Sequence, residues 1–151
     1  LSSSSAASDV YKRQAPTYVS RGNGDLDIID HRLQDTWFIE LGDVSIGLIH
    51  HFPSPIRKSP DRLERHLDKH FPNLNPDVIV YGHTHFEDVR SINNRLYINP
   101  GSPTLPRNQS LRLGTIGLME INEDHINTSI FQLTDQGVEP HAELEPHQHP
   151  K

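Results

Sequence analysis

The stretch Asp77-Val78-Ile79-Val80-Tyr81-Gly82-His83-Thr84-His85 decides how the rest of the chain is read. Val78, Ile79 and Val80 are β-branched and apolar in an unbroken run, which suits a central strand buried on both faces. Gly82 ends the run. A glycine there can adopt φ > 0 and let the backbone come close to a ligand. His83 and His85 follow at the strand's carboxyl end, where loops on a rigid sheet usually carry function. Imidazole is the commonest side-chain ligand for transition metals. An i, i+2 pair leaving a strand can aim both rings to one side of the sheet. Taken alone, the pair is equally compatible with two solvated histidines.

Working outward, other strands end in the same kind of residue. Trp37–Leu41 and Val44–His50, joined by Gly42-Asp43, read as a β-hairpin, and its second strand runs into His50 and His51. Thr17-Tyr18-Val19 reads as a short strand that stops at Arg21-Gly22-Asn23-Gly24-Asp25, a tight polar turn. Asp61–Phe71 reads as a helix. Leu63, Leu67 and Phe71 recur at i, i+4, i+8, Ser59 or Asp61 is available as a cap, and Pro72 and Pro76 stop it. Beyond His85 the pattern turns antiparallel. Val89–Ile92 and Arg95–Ile98 flank Asn93-Asn94, which suits a two-residue primed turn, and Asn99-Pro100-Gly101-Ser102 makes the next turn. Gly114–Ile121 and Ile126–Leu133 form a last hairpin. In open α/β sheets, sites gather outside the carboxyl ends of strands. Asn23, His50, His83 and His85 therefore converge in the manner an N/O-ligated metal site requires.

Composition narrows the choice. The 151 residues are one domain's worth, and they carry no cysteine and a formal charge of −6. A metal must then be held by nitrogen and oxygen, and no basic face for nucleic acid is evident. No apolar run approaches the roughly 18 residues of a membrane helix, and no signal peptide is present, so the chain is expected to be cytoplasmic. Hydrophobic content is 33%, below the roughly 45–50% of ordinary domains. The deficit lies at the two ends. Residues 1–14 are a low-complexity serine run followed by an aperiodic string, similar to translated adapter sequence at the ends of gene fragments. They are expected to be non-native or disordered. Residues 15–134 form the domain, and residues 135–151 read as a disordered polar tail.

Arg21-Gly22-Asn23-Gly24-Asp25, the strand ending at His50, Gly82-His83-Thr84-His85 and Asn99-Pro100-Gly101-Ser102 together resemble the calcineurin-like metallophosphoesterases, in particular small bacterial and archaeal phosphodiesterases of the YfcE type. The resemblance runs from about Thr17 to Leu133. It implies an α/β fold: the C-terminal portion of a two-sheet sandwich flanked by helices. It implies two divalent metal ions, Mn²⁺ first, with Fe²⁺, Zn²⁺ or Ni²⁺ as alternatives. Asn23, His50 and His83 would ligate the second metal and His85 the first, with His51 the alternative to His50 or a pocket-lining residue. Asp25 would orient a neighbour, the Asn-Pro-Gly-Ser turn would support the site, and Ser102 is a weak candidate for substrate contact. The implied reaction is hydrolysis of a small-molecule phosphodiester or phosphomonoester by a metal-activated water, which needs no side-chain nucleophile. A non-catalytic, metal-dependent protein-interaction scaffold of the same fold is the alternative. A homo-oligomer is left open.

The departures from the family pattern are equally specific. Its Asp-x-His and Gly-Asp-x-x-Asp motifs are absent from the positions ahead of the Gly-Asn turn, where this chain has the adapter-like string. Gly24 stands where relatives carry Cys or His. The chain is therefore expected to be N-terminally truncated, lacking the first βαβ region, weakly active or inactive, and open along one sheet edge. Other candidates have plainer readings. His31, His66, His70 and His125 are expected on the surface, although His66 and His70 have the i, i+4 spacing of zinc ligands. His141, His147 and His149 lie in the tail. Arg107 and Arg112 could meet a phosphate from a solvated loop.

Overall fold

A computed structural model describes residues 15–107 and 113–151. The string 1–14 and Arg112 lie outside the described residues. Eleven strands and one helix are present among them, in the order β1 (Val19–Ser20), β2 (Leu33–Gln34), β3 (Thr36–Leu41), β4 (Val44–Ile49), α1 (Pro60–His70), β5 (Val78–Tyr81), β6 (Asp88–Ile92), β7 (Arg95–Asn99), β8 (Thr115–Ile121), β9 (His125–Thr134), β10 (Gly137–Pro140) and β11 (His147–Pro150).

The main sheet has the order β3-β4-β5-β7-β6. The β3–β4 and β6–β7 pairs are antiparallel hairpins, while β4–β5 and β5–β7 are parallel. The strand at Val78 is central, as its composition requires. Its side chains alternate between two cores. Ile79 and Tyr81, with Tyr97 of β7, face α1 and pack with Leu63, Leu67 and Phe71. Val78, with Leu96 and Ile98, faces the second sheet and packs with Ile46 and Ile126. This period of two makes β5 a wall shared by both layers. Burial of each large apolar side chain of α1 contributes on the order of 1.5–3 kcal/mol. Gly47 makes room for Phe71, the residue that follows α1: a Cβ there would sit 2.9 Å from Phe71 Cζ.

The second sheet is built on β9. It pairs with β8 along one edge and with β10 and β11, end to end, along the other. The polar tail expected after Thr134 is thus corrected to two strands. The reason is that Ile126 and Ile130 of β9 are core residues, so its free edge is a long, rigid template for pairing. The chain closes there through His149, which is 3% exposed. Its Nδ1 lies 2.7 Å from Ser91 Oγ on β6, and His147 Nε2 lies 2.8 Å from the same oxygen.

The turns form largely as their residue types require. Asn93 and Asn94 have φ of 49° and 60°, both positive as a two-residue primed turn demands. Ser59 sits before α1, but its side chain makes no cap bond; its carbonyl accepts from the N–H groups of Arg62 and Leu63. The first strand is two residues long and pairs in parallel with β2, a strand too short to leave a periodic signal.

Candidate metal centre

The parallel register of β4 and β5 carries two chain ends to the same level of the sheet. Ile49 stands opposite Tyr81, and Gly82 N donates to the carbonyl of His50 over 3.0 Å. His50 and His83 are placed by that pairing. The positive φ expected of Gly82 is instead borne by His83 and His85, at 68° and 55°. Thr84 N donates to Gly82 O at 2.8 Å, closing a three-residue turn around His83. A left-handed conformation costs a non-glycine residue about 1–2 kcal/mol. Two such residues in one loop therefore mark a place where geometry is held against local preference.

The rings of His50 and His83 meet edge to face at 5.3 Å, with His50 Nε2 3.3 Å from His83 Nδ1. Asn23 reaches the same nitrogen, its amide 3.2 Å away. Two ligands that each stand about 2.0–2.1 Å from one tetrahedral ion are separated by about 3.3 Å. Asn23 and His50 thus each stand at the spacing of a neighbouring ligand from His83, and a half-turn of the Asn23 amide would present its oxygen. Burial, followed by the charges of the neighbouring His rings, pushes His50 below histidine's ordinary value. His83 is lowered by the same causes. Both effects favour the neutral ring that a metal needs. The donor set is neutral throughout. No group of three His, Cys, Asp or Glu side chains with the spacing of a metal site occurs among the described residues.

His85 does not join the cluster by hydrogen bond among the described residues. Its carbonyl accepts from Arg107 N at 3.1 Å, and its ring acts on His50 and His83 only through charge. The His51 ring meets that of His83 edge to face, with centroids 4.6 Å apart. Asp25 closes its own turn, Oδ2 accepting from Gly22 N at 2.8 Å. Ser102 Oγ is engaged by Leu105 N at 3.0 Å. Arg107 places its guanidinium 6.0 Å over the ring of Phe86. His31 is exposed, and His125 pairs with Asp124. His66, expected on the surface, is half-buried, with its ring against Phe52, His51 and His70. A cavity of about 300 Å³ opens beside the cluster, bordered by Asn23, His50, His51 and Arg21.

Two side chains support the cluster in ways local sequence does not specify, one of them in the Asn-Pro-Gly-Ser turn expected to lie beside the site. Asn99, 1% exposed, donates through Nδ2 to Gly82 O and to Thr84 Oγ1, and its Oδ1 accepts from Gly101 N. It ties the histidine loop to the Asn-Pro-Gly-Ser turn. The signal was its position at the end of a strand parallel to β5. Arg21 reaches the carbonyls of Asp25, Ile28 and Leu33 and pins the loop that carries Asn23. Nothing in local sequence distinguishes it from a surface arginine.

Comparison with known proteins adds three findings. The model of the calcineurin-like phosphoesterase superfamily domain matches residues 3–124. A probable metallophosphoesterase of Methanocaldococcus jannaschii is 39% identical over 70 residues, covering 46% of this chain and 34% of the relative. Among solved structures, Vacuolar Protein Sorting 29 of Cryptosporidium parvum superposes with a TM-score of 0.69 at 20% identity, over 99% of this chain and 77% of that one. Vps29 of Entamoeba histolytica, solved as a complex with Zn²⁺, gives 0.63 at 22% identity, over 96% and 75%. At these identities the two structures speak for the fold. The chain spans between about a third and a little over half of the curated relatives it matches.

Proposed function

The chain belongs to the calcineurin-like phosphoesterase superfamily, and from that premise we propose that it carries the neutral ligands of the metal centre of a phosphodiester hydrolase. The supporting observation is the contact of Asn23, His50 and His83, brought from three separate strand ends to the spacing of neighbouring ligands. Members of this superfamily use divalent metal ions. In this reading the three side chains would hold one ion, Mn²⁺ first, with Fe²⁺, Zn²⁺ or Ni²⁺ as alternatives, and His85 would serve a second. A bound ion would supply positive charge for a phosphoryl oxygen and lower the pKa of a water. The protein's own part is positional. The strained turn at His83 and the Asn99 bonds hold the rings, Asp25 and Arg21 hold the Asn23 loop, and the adjoining cavity admits a small phosphoester.

Without a carboxylate in the cluster, the chain by itself is expected to bind metal and to turn over slowly. Calorimetric titration with Mn²⁺, repeated on His83→Ala, tests the site. Binding lost in the variant supports it; equal binding, or none in either protein, overturns it. Hydrolysis of bis(p-nitrophenyl) phosphate, stimulated by Mn²⁺ and abolished in His83→Ala, tests the reaction. A second reading, a metal-dependent protein-interaction scaffold, is favoured by the likeness to vacuolar protein sorting structures. Metal binding with no hydrolysis of any phosphodiester would select it.

A further inference from the structure

The sequence is acidic overall, at −6, yet one groove is lined by cations. Pro53, Lys58, Arg62, Arg65 and His66 border a cavity of about 380 Å³ where the loop after β4 meets the first turns of α1. Lys58 and Arg62 make no ion pair among the described residues, and Arg65 reaches only the carbonyl of Asp61, one turn back, at 3.3 Å. Arg62 and Arg65 stand at i, i+3 on one helix face. Like charges so placed destabilise a helix by a few tenths of a kcal/mol. Asp61 and Asp68 flank Arg65 along the helix, yet none of the three cations has a carboxylate within ion-pair distance among the described residues, so an anion in the groove would supply their partner.

The groove is also tied to the metal centre. His66 is fixed by Phe52, 1% exposed, whose ring lies 5.0 Å from it. The ring of His51 stands 6.4 Å from that of His66 and 4.6 Å from that of His83. A single histidine ring thus separates the cationic groove from the candidate ligands. An exposed helix surface would carry cations as well, but it would have no reason to gather them around a hollow that adjoins the site.

We propose that the Lys58–Arg62–Arg65 groove is an anion subsite that receives a second, terminal phosphate of the substrate, so that the preferred substrate is a small phosphodiester bearing a further phosphate group. This rests on the phosphodiesterase reading of the Asn23–His50–His83 centre. Guanidinium groups suit the role because they present planar, paired donors to phosphate oxygens.

Two probes differ only in the group at issue: the p-nitrophenyl ester of thymidine 5′-phosphate, and the same ester carrying a 3′-phosphate. Their binding to the full chain with Mn²⁺ is measured by calorimetry, with Mn²⁺ binding and thermal unfolding followed in parallel. The 3′-phosphorylated probe is expected to bind about tenfold more tightly. That preference should fall as salt is raised and vanish in Lys58→Ala/Arg62→Ala, whose Mn²⁺ binding and affinity for the plain ester stay unchanged. Equal binding of the two probes, or a preference that survives in the double variant, overturns the subsite while leaving the hydrolase reading intact. If neither probe's binding changes in His83→Ala, the hydrolase reading fails, and the subsite fails with it. A single-stranded oligonucleotide that binds much more tightly than either probe, through the same two residues, would replace the small-molecule assignment with a nucleic-acid one.

Discussion

Asn99 and Gly101 show how much of the candidate centre depends on single positions outside the candidate ligands. The Asn99 amide is buried with its bonds directed at the histidine loop and the following turn. Asn99→Ala leaves those groups unpaired, and each buried, unsatisfied polar group costs about 1–3 kcal/mol. A stability loss of that order is expected in urea unfolding, together with weaker Mn²⁺ binding, since the loop around His83 loses its support. Gly101 has φ of 80°, and a Cβ there would lie 2.1 Å from Thr115 Oγ1. Gly101→Ala combines left-handed strain with overpacking and is expected to cost about 2–4 kcal/mol. Gly24 is the contrast: a Cβ there meets nothing within 4 Å. Gly24→His, the substitution the family resemblance suggests, should leave stability within about 0.5 kcal/mol in the same assay. A large loss would show that the turn itself requires glycine.

At the scale of elements, α1 and β11 hold the sheets from opposite sides. Leu67 of α1, 3% exposed, lies in the core against the main sheet. Leu67→Ala is expected to cost about 2–5 kcal/mol in urea unfolding. The β11 contact is polar and titratable. Burial, then the neighbouring His147, holds His149 below histidine's ordinary value, while Asp77, facing it from the segment before β5, opposes the shift. The unfolded chain takes up a proton at this residue near pH 6.5 and the folded chain resists. Its contribution is therefore fully present above that pH and lost as the pH falls below it. Amide protection factors in β11, which correct for the slower intrinsic exchange at lower pH, should fall between pH 7.5 and 5.5 more than those in β8. His149→Ala should remove more of that pH response than His31→Ala, because His31 is exposed. An equal loss of protection in β8 and β11 would remove the residue from this role.

For the whole molecule, the open question is association. Among the described residues β3 pairs in the main sheet with β4 alone, which leaves its other edge without a strand partner there, and Leu41 and Tyr18 near it are exposed. Such an edge is a template for a second strand. The charge of −6 opposes close approach of two copies, and salt screens that repulsion. Sedimentation velocity should show self-association that grows with concentration and with added salt. A monomer at every concentration and salt would mean that the edge is covered.

The residue order by itself determined the central strand, the two flanking hairpins, the amphipathic helix and the four strand-end candidates. Each of these rests on local periodicity or turn chemistry, which a short window contains. Only the tertiary structure decided which candidates meet. The parallel register of β4 and β5 sets His50 against His83, a matter of pairing between residues far apart in the chain. It also decided that strain falls on His83 and His85 rather than on Gly82, because the loop must turn sharply to face Asn23. The last strands were illegible for a related reason. Their polar residues carry no core pattern, and their order comes from the free edge of β9, a template that exists only once the second sheet has formed.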